Sequence, residues 1–348
     1  MIGVPAATTM ATRILHGHAV EYFTEKCKGV SLYTLILLWM ASVVMSHEYR
    51  QHLSGCNYTR RGDINLGGLI PIHTFDRATQ SCGKLRSLSA LKRVEALVYA
   101  VDQVNNNATL LPNTSLGFEI YDTCSNTATA LGESLNFVPN YAQACGGGAI
   151  DEKKVIGVVG AQRSSSSKQA AVLFGLHHLT QISFLSTSDE LSDDATFPYF
   201  LRTVGADSFQ VTTMIDVIRH YEWNYISFLN SDDTYGKSAQ KQFTELADDK
   251  DICVGITRTI SLSSAAKQYD EVMRELLDLQ DNGSRPATVV ILFVQLEMAQ
   301  EIFAAATRLN ATRRFIWIGS DGWGNYGEEA TMGNEEVAVG ESLTIGKT

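Results

Sequence analysis

Apolar residues recur along this chain in two alternating rhythms. Short runs dense in Val, Ile, Leu and Phe, at 155–160, 225–229, 287–293 and 315–318, are each followed by a longer stretch in which apolar positions return every three or four residues. The first rhythm predicts buried strands and the second predicts helices packed by one face. Taken in order, the pattern predicts strands at 63–72, 116–121, 155–160, 181–185, 225–229, 252–260, 287–293 and 315–318. Between and after them it predicts helices at 85–106, 128–137, 168–179, 209–221, 237–248, 266–279 and 297–309. Strands alternating with helices predict an α/β fold of mostly parallel sheets with helices on both faces. In such sheets ligands sit beyond the carboxyl ends of the strands.

Three stretches interrupt the rhythm. Residues 140–154 carry Gly146, Gly147 and Gly148 with charge and read as a loop bearing Cys145; 189–207 is acidic and loop-like apart from Tyr199 to Thr203; 324–340 is a second irregular passage. The last two are where the chain would cross between two lobes. No short repeat, heptad seam or later membrane span is visible.

The apolar run at 31–45 is uncharged, follows Lys26 and Lys28 and ends in small residues, the pattern of a secretory signal. The competing reading, a signal anchor, needs a longer span, roughly 20 residues. Five of the six cysteines lie beyond this run, and Asn-x-Ser/Thr sequons stand at Asn57, Asn107, Asn113, Asn282 and Asn310. Disulfides and glycans on an extracellular surface are the joint expectation. The net charge of −10, with no basic block, argues against nucleic-acid binding.

Candidate chemistry gathers at the strand ends. The strand at 155–160 runs into Arg163 and four serines, Ser164 to Ser167, before the next helix: backbone N–H groups, hydroxyls and a helix amino end, which together seat an anion. The bland alternative is a loop with an N-cap. Ser186, Thr187 and Ser188 follow the strand at 181–185, Asp207 stands at the first crossing, and the sequence Ser231 to Gly236, with Tyr235, follows the strand at 225–229. Ser320, Asp321 and Trp323 follow the strand at 315–318. Hydroxyls suit a carboxylate, and carboxylates with an aromatic ring suit an ammonium, so the set describes a seat for a zwitterion. Asp207 and Asp321 read equally well as turn acids, and Tyr235 as a packing ring. His177 and His178 are neighbours on a helix and face different ways, a poor metal pair; Glu297, Glu301 and Lys237 read as solvated helix faces. The pairs Asp193–Asp194 and Asp232–Asp233 lack EF-hand spacing, and neither metal nor cofactor is expected. No nucleophile elbow, phosphate loop or strand-end His supports an enzyme.

Several ordered segments, at 62–72, 92–96, 121–124, 199–203, 235–236 and 319–323, make the chain resemble the extracellular ligand-binding domain of family C G-protein-coupled receptors, most closely metabotropic glutamate receptors. The resemblance runs from about Gly62 to about Glu341. It implies a two-lobed Venus flytrap of the type I periplasmic-binding-protein kind that dimerises through lobe 1 and closes on an amino acid, with L-glutamate favoured. The expected divisions are a signal peptide at 1–46, lobe 1 at 47–203, lobe 2 at 204–338 and the start of a return crossover at 339–348. By position, Ser164 and Thr187 would hold the ligand carboxylate with Ser165 beside it, Asp207 and Asp321 the ammonium, Tyr235 would close from lobe 2, and Arg93 would face a distal carboxylate.

The resemblance further implies a Cys82–Cys124 disulfide, an intersubunit bond at Cys145 and a tie from Cys253 to a downstream Cys-rich module; Cys56 has no counterpart role. This chain departs from the family at Ser89, where a larger polar side chain precedes Arg93, and at Arg163, whose guanidinium offers an alternative distal anion contact. The family's distal Lys and its seven-helix domain lie beyond residue 348, so G-protein coupling is expected only through a transmembrane domain outside this chain. The alternatives are a secreted truncated form acting as decoy or dominant-negative partner, or a receptor for another amino acid or a cation.

Overall fold

Two sheets carry the molecule, and each buries both faces. The structure, a computed structural model, describes residues 57–139, 155–283, 286–338 and 342–344. The expected signal peptide, Cys56, Cys145 and the glycine-rich loop lie outside these residues. The first sheet has the order β1-β5-β2-β6-β7-β8, built from β1 (Asn57–Arg60), β2 (Ile64–Ile70), β5 (Leu116–Asp122), β6 (Val155–Gly160), β7 (Gln181–Ser183) and β8 (Phe200–Arg202). Only β1 runs antiparallel to its neighbour. A hairpin of β3 (His73–Asp76) and β4 (Ser81–Leu85) stands apart.

The period-2 geometry of a strand explains how β2 serves two cores. Leu69 points to one face, against Phe137, Val158 and Phe174. Its neighbour Ile70 points to the other, against Val94, Leu97 and Phe118. Helix α1 (Leu88–Asn106) covers that second face, and α2 (Thr127–Ser134) and α3 (Ser164–Leu176) cover the first.

The second sheet is fully parallel, with the order β10-β9-β11-β12-β13: β9 (Tyr225–Ser231), β10 (Cys253–Ile260), β11 (Val289–Phe293), β12 (Ile316–Gly319) and β13 (Ser342–Thr344). Every residue of β11 is buried. Val289, Ile291 and Phe293 pack toward α4 (Asp207–His220) and α5 (Thr234–Asp249), while Val290 and Leu292 pack toward α6 (Ala266–Asn282) and α7 (Leu296–Arg308). Burying each such side chain contributes about 1.5–3 kcal/mol, which fixes β11 as the centre of this half. The chain passes from the first sheet to the second between Arg202 and Asp207, and β13 extends the second sheet to 344. The described residues belong to one compact unit, Gly55–Thr348, and no helix among them is long and apolar enough to cross a membrane.

Two local outcomes depart from the sequence pattern. The serine run is not a loop: α3 begins at Ser164, so Ser164 to Ser167 form its first turn. Its hydroxyls find partners that a solvated loop would lack, since Ser167 Oγ donates to the Ala161 carbonyl at 3.0 Å and Ser164 Oγ receives two backbone N–H groups. The stretch at 74–83, where the pattern predicted no strand, belongs to the hairpin of β3 and β4.

Candidate ligand-binding site

The carboxyl ends of both sheets face one cleft. On the first side, β6 ends at Gly160, whose φ of +115° and close approach to the Leu69 carbonyl, 2.3 Å from where a Cβ would stand, admit only glycine. The turn that follows delivers Ser164, which is 2% exposed. Its Oγ accepts from the backbone N–H groups of Thr187 and Ser188, each at 3.2 Å. The Ser164 proton is therefore free to be donated elsewhere. Thr187 is 1% exposed, and its Oγ1 makes no hydrogen bond within the described residues. Ser186 locks the base of the turn through its bond to Ser167 Oγ at 2.7 Å.

Asp207 opens α4, is fully buried, and donates its backbone N–H to the Thr187 carbonyl at 2.8 Å. That bond ties the crossing to the hydroxyl seat. From the second side, α5 is capped by Asp233, which accepts from the Gly236 N–H at 2.9 Å. The cap aims Tyr235 into the cleft, where its hydroxyl donates to Asp321 Oδ1 at 2.8 Å and accepts from the Gly322 N–H at 3.2 Å. Asp321 in turn donates its N–H to Gln210 Oε1 at 2.9 Å. Burial first, and then the Asp321 and Asp207 charges, push the Tyr235 hydroxyl well above its ordinary value, so it remains a donor.

Ser164, Tyr235 and Asp321 line one small cavity together with Gln162, Arg163 and Gln295, about 20 Å³ in volume, room for about one water. Thr187 and Asp207 join it through the bonds above. Ser165 does not line it; its Oγ receives the Thr127 hydroxyl at 3.2 Å beside a separate cavity of about 180 Å³. Arg93 stands at the far end, with Nη2 at 3.4 Å from the Tyr326 hydroxyl and its guanidinium 5.9 Å from the Phe184 ring centre.

Glu297 corrects the sequence reading. It is not on a solvated helix face: its carboxylate accepts from Arg86 Nε at 2.7 Å and Arg163 Nη2 at 3.1 Å, both reaching from the first sheet's side. Arg163 is itself withdrawn from solvent, being 7% exposed. Burial would raise Glu297, but the Arg163 and Arg86 guanidiniums outweigh it and bring the carboxyl down to about 2. Gln162 Nε2 adds a further bond across the cleft, to the Tyr326 hydroxyl at 3.2 Å. The sequence reading overlooked Arg86, Gln162 and Tyr326 altogether. Applied to β11 as well as to the other strands, the strand-end rule would have found Glu297, four positions past Phe293.

Cys82 and Cys124 form a disulfide with 5.3 Å between Cα atoms, as the resemblance implied, and Cys253 is an exposed free thiol. Among the described residues one trio of potential metal-ligating atoms comes together, Cys82, Asp122 and Cys124, and its two sulfurs are spent on that bond.

Two parallel α/β layers facing each other across a cleft, with hydroxyls on one wall and carboxylates and a buried tyrosine on the other, define a bilobed binding protein of the periplasmic-binding-protein type. The chain belongs to the receptor family ligand-binding region, which matches residues 92–345. It is similar to metabotropic glutamate receptor 4 of Macaca fascicularis, 34% identical over 318 residues that make up 88% of this chain and 34% of the relative. The receptor 4 proteins of Mus musculus and Rattus norvegicus are each 33% identical over 330 residues, 92% of this chain and 35% of theirs. The chain thus spans about a third of the length of the curated relatives it matches.

Proposed function

We propose that this chain is the extracellular amino-acid-binding part of a metabotropic glutamate receptor-like receptor, and that it works by lobe closure in a dimer rather than by catalysis. The observation that carries the reading is the buried Thr187 hydroxyl, which makes no hydrogen bond among the described residues, beside the donor proton of Ser164 and next to Asp207, with Tyr235 and Asp321 in the same cleft. An α-carboxylate would take the Ser164 and Thr187 hydroxyls and the N–H groups that open α3. An α-ammonium would take Asp207 and Asp321, with Tyr235 closing over it. Lobe 1 would be 47–203 and lobe 2 204–338, and a ligand touching both favours the closed state only by the contacts it gains there. L-Glutamate is the reference ligand by resemblance, with Arg93 facing its side chain.

The disulfide and the exposed Asn107, Asn113, Asn282 and Asn310 support an extracellular setting. Exposed Leu135, Val172 and Leu176, on or next to α2 and α3, support pairing through lobe 1, with Cys145 as the intersubunit bond. G-protein coupling would belong to parts of the receptor outside this sequence. The test is calorimetric titration of amino acids into the secreted chain: Thr187→Ala and Asp207→Ala should each weaken binding by about 1–3 kcal/mol, the cost of stranding a buried polar partner. Unchanged affinity in both would remove these residues from the site.

A further inference from the structure

We infer that Glu297 sets the side-chain specificity of this cleft, standing where a ligand's second carboxylate would stand and so favouring amino acids with uncharged side chains. The inference rests on the amino-acid reading above and deepens it.

Glu297 lies in the first turn of α7, just past the carboxyl end of β11. Its two carboxylate oxygens are each taken by a different guanidinium from the opposite side of the cleft, Arg86 Nε at 2.7 Å and Arg163 Nη2 at 3.1 Å. The two arginine side chains are 2% and 7% exposed, against 28% for Glu297. An exposed ion pair would carry little weight. Here two guanidiniums withdrawn from water converge on one carboxylate, an arrangement that is costly to break from either side.

These are the contacts that the distal carboxylate of a dicarboxylic amino acid would seek. A ligand carrying one must either displace Glu297, stranding its charge in the cleft, or lie beside it as a like charge. The third guanidinium, Arg93, is drawn to the Tyr326 hydroxyl and the Phe184 ring instead. A neutral side chain leaves the Arg86–Glu297–Arg163 bridge intact, and the bridge then adds to closure.

The test is calorimetric titration of the secreted full chain with L-glutamate, L-aspartate, L-glutamine, L-alanine and L-serine. It is repeated for Glu297→Gln, which keeps the shape and removes the charge, with Glu301→Gln, exposed on the same helix, as control. Thermal unfolding confirms that each variant is folded. The wild type should bind at least one uncharged amino acid tenfold or more tighter than L-glutamate. Glu297→Gln should move the L-glutamate to L-glutamine affinity ratio at least tenfold toward L-glutamate, and Glu301→Gln should leave it unchanged. A merely structural role would weaken all ligands alike and leave the ratio in place. A wild type that prefers L-glutamate, or a ratio that Glu297→Gln changes less than threefold, overturns the inference while leaving the amino-acid reading standing. Binding of no amino acid to either protein overturns the amino-acid reading and the inference with it.

Discussion

Replacing Tyr235 with Phe removes one oxygen from the most enclosed part of the cleft and leaves the ring in place. The ring keeps its packing on Phe293, 4.6 Å between centres, so the loss is confined to the hydroxyl. That hydroxyl donates to Asp321 Oδ1 at 2.8 Å, between two side chains that are each 3% exposed. A buried hydrogen bond to a charged acceptor contributes about 1.5–3 kcal/mol. The Gly322 N–H loses its acceptor at the same time, so a destabilisation of about 2–3 kcal/mol is expected for the unliganded protein. Because burial and the facing carboxylates hold the Tyr235 hydroxyl protonated well past its ordinary range, the effect should be the same at pH 7 and pH 9.

The assay is urea unfolding followed by circular dichroism, with the slope against denaturant unchanged and the midpoint lowered. A cycle with Asp321→Asn separates the pair from the rest: the double variant should lose less than the sum of the two single ones by about 1 kcal/mol or more. A Tyr235→Phe variant within about 0.5 kcal/mol of wild type would mean that this bond does not hold the second wall of the cleft together, and the placement of Tyr235 would fail with it.

Two further expectations concern the first sheet. Glu133 is 5% exposed and is raised to about 7 by burial and then by the Asp122 charge. Its folded value lies above the ordinary 4.5, so the penalty is absent below that pH, grows as pH rises toward 7, and is complete above it. Glu133→Gln should therefore match wild-type stability near pH 4 and exceed it at pH 8 by up to about 3 kcal/mol, as read by thermal unfolding at the two pH values. Cys82→Ser opens a disulfide that closes a 42-residue separation, for which loop entropy predicts a loss of about 4 kcal/mol and measured cases run about 2–5; reduction of the wild type should reproduce the change.

What the sequence made legible was whatever its periodicity encodes. The continuous apolar run at 289–293 marks a strand buried on both faces, and the amphipathic spacing of 266–279 marks a helix packed by one face; both stand where the pattern predicted them. The strand-end rule likewise picks out Ser164, Tyr235 and Asp321, which line one small cavity, and Thr187, whose N–H bonds Ser164. Other features depend on partners that a local window cannot contain. Ser164 to Ser167 read as a loop because serine favours caps and turns, yet backbone N–H groups 23 and 24 residues away hold Ser164 in a helical first turn. The hairpin at 73–85 is half-buried and polar, and it lacks the alternation that signals a strand. Glu297 read as a solvated face because a helical wheel shows its own helix and not the arginines 134 and 211 positions away.

The central claim is that the cleft seats an α-amino acid, and a thermal-shift panel of the common amino acids on the secreted, glycosylated chain tests it most directly. At 100 times its dissociation constant a ligand of the folded state adds about 2.7 kcal/mol of stability. At least one amino acid should raise the unfolding temperature of the wild type, and at the same concentration the rise should shrink or vanish in Thr187→Ala. A folded wild type that no amino acid stabilises, or a shift that Thr187→Ala leaves intact, would contradict the account.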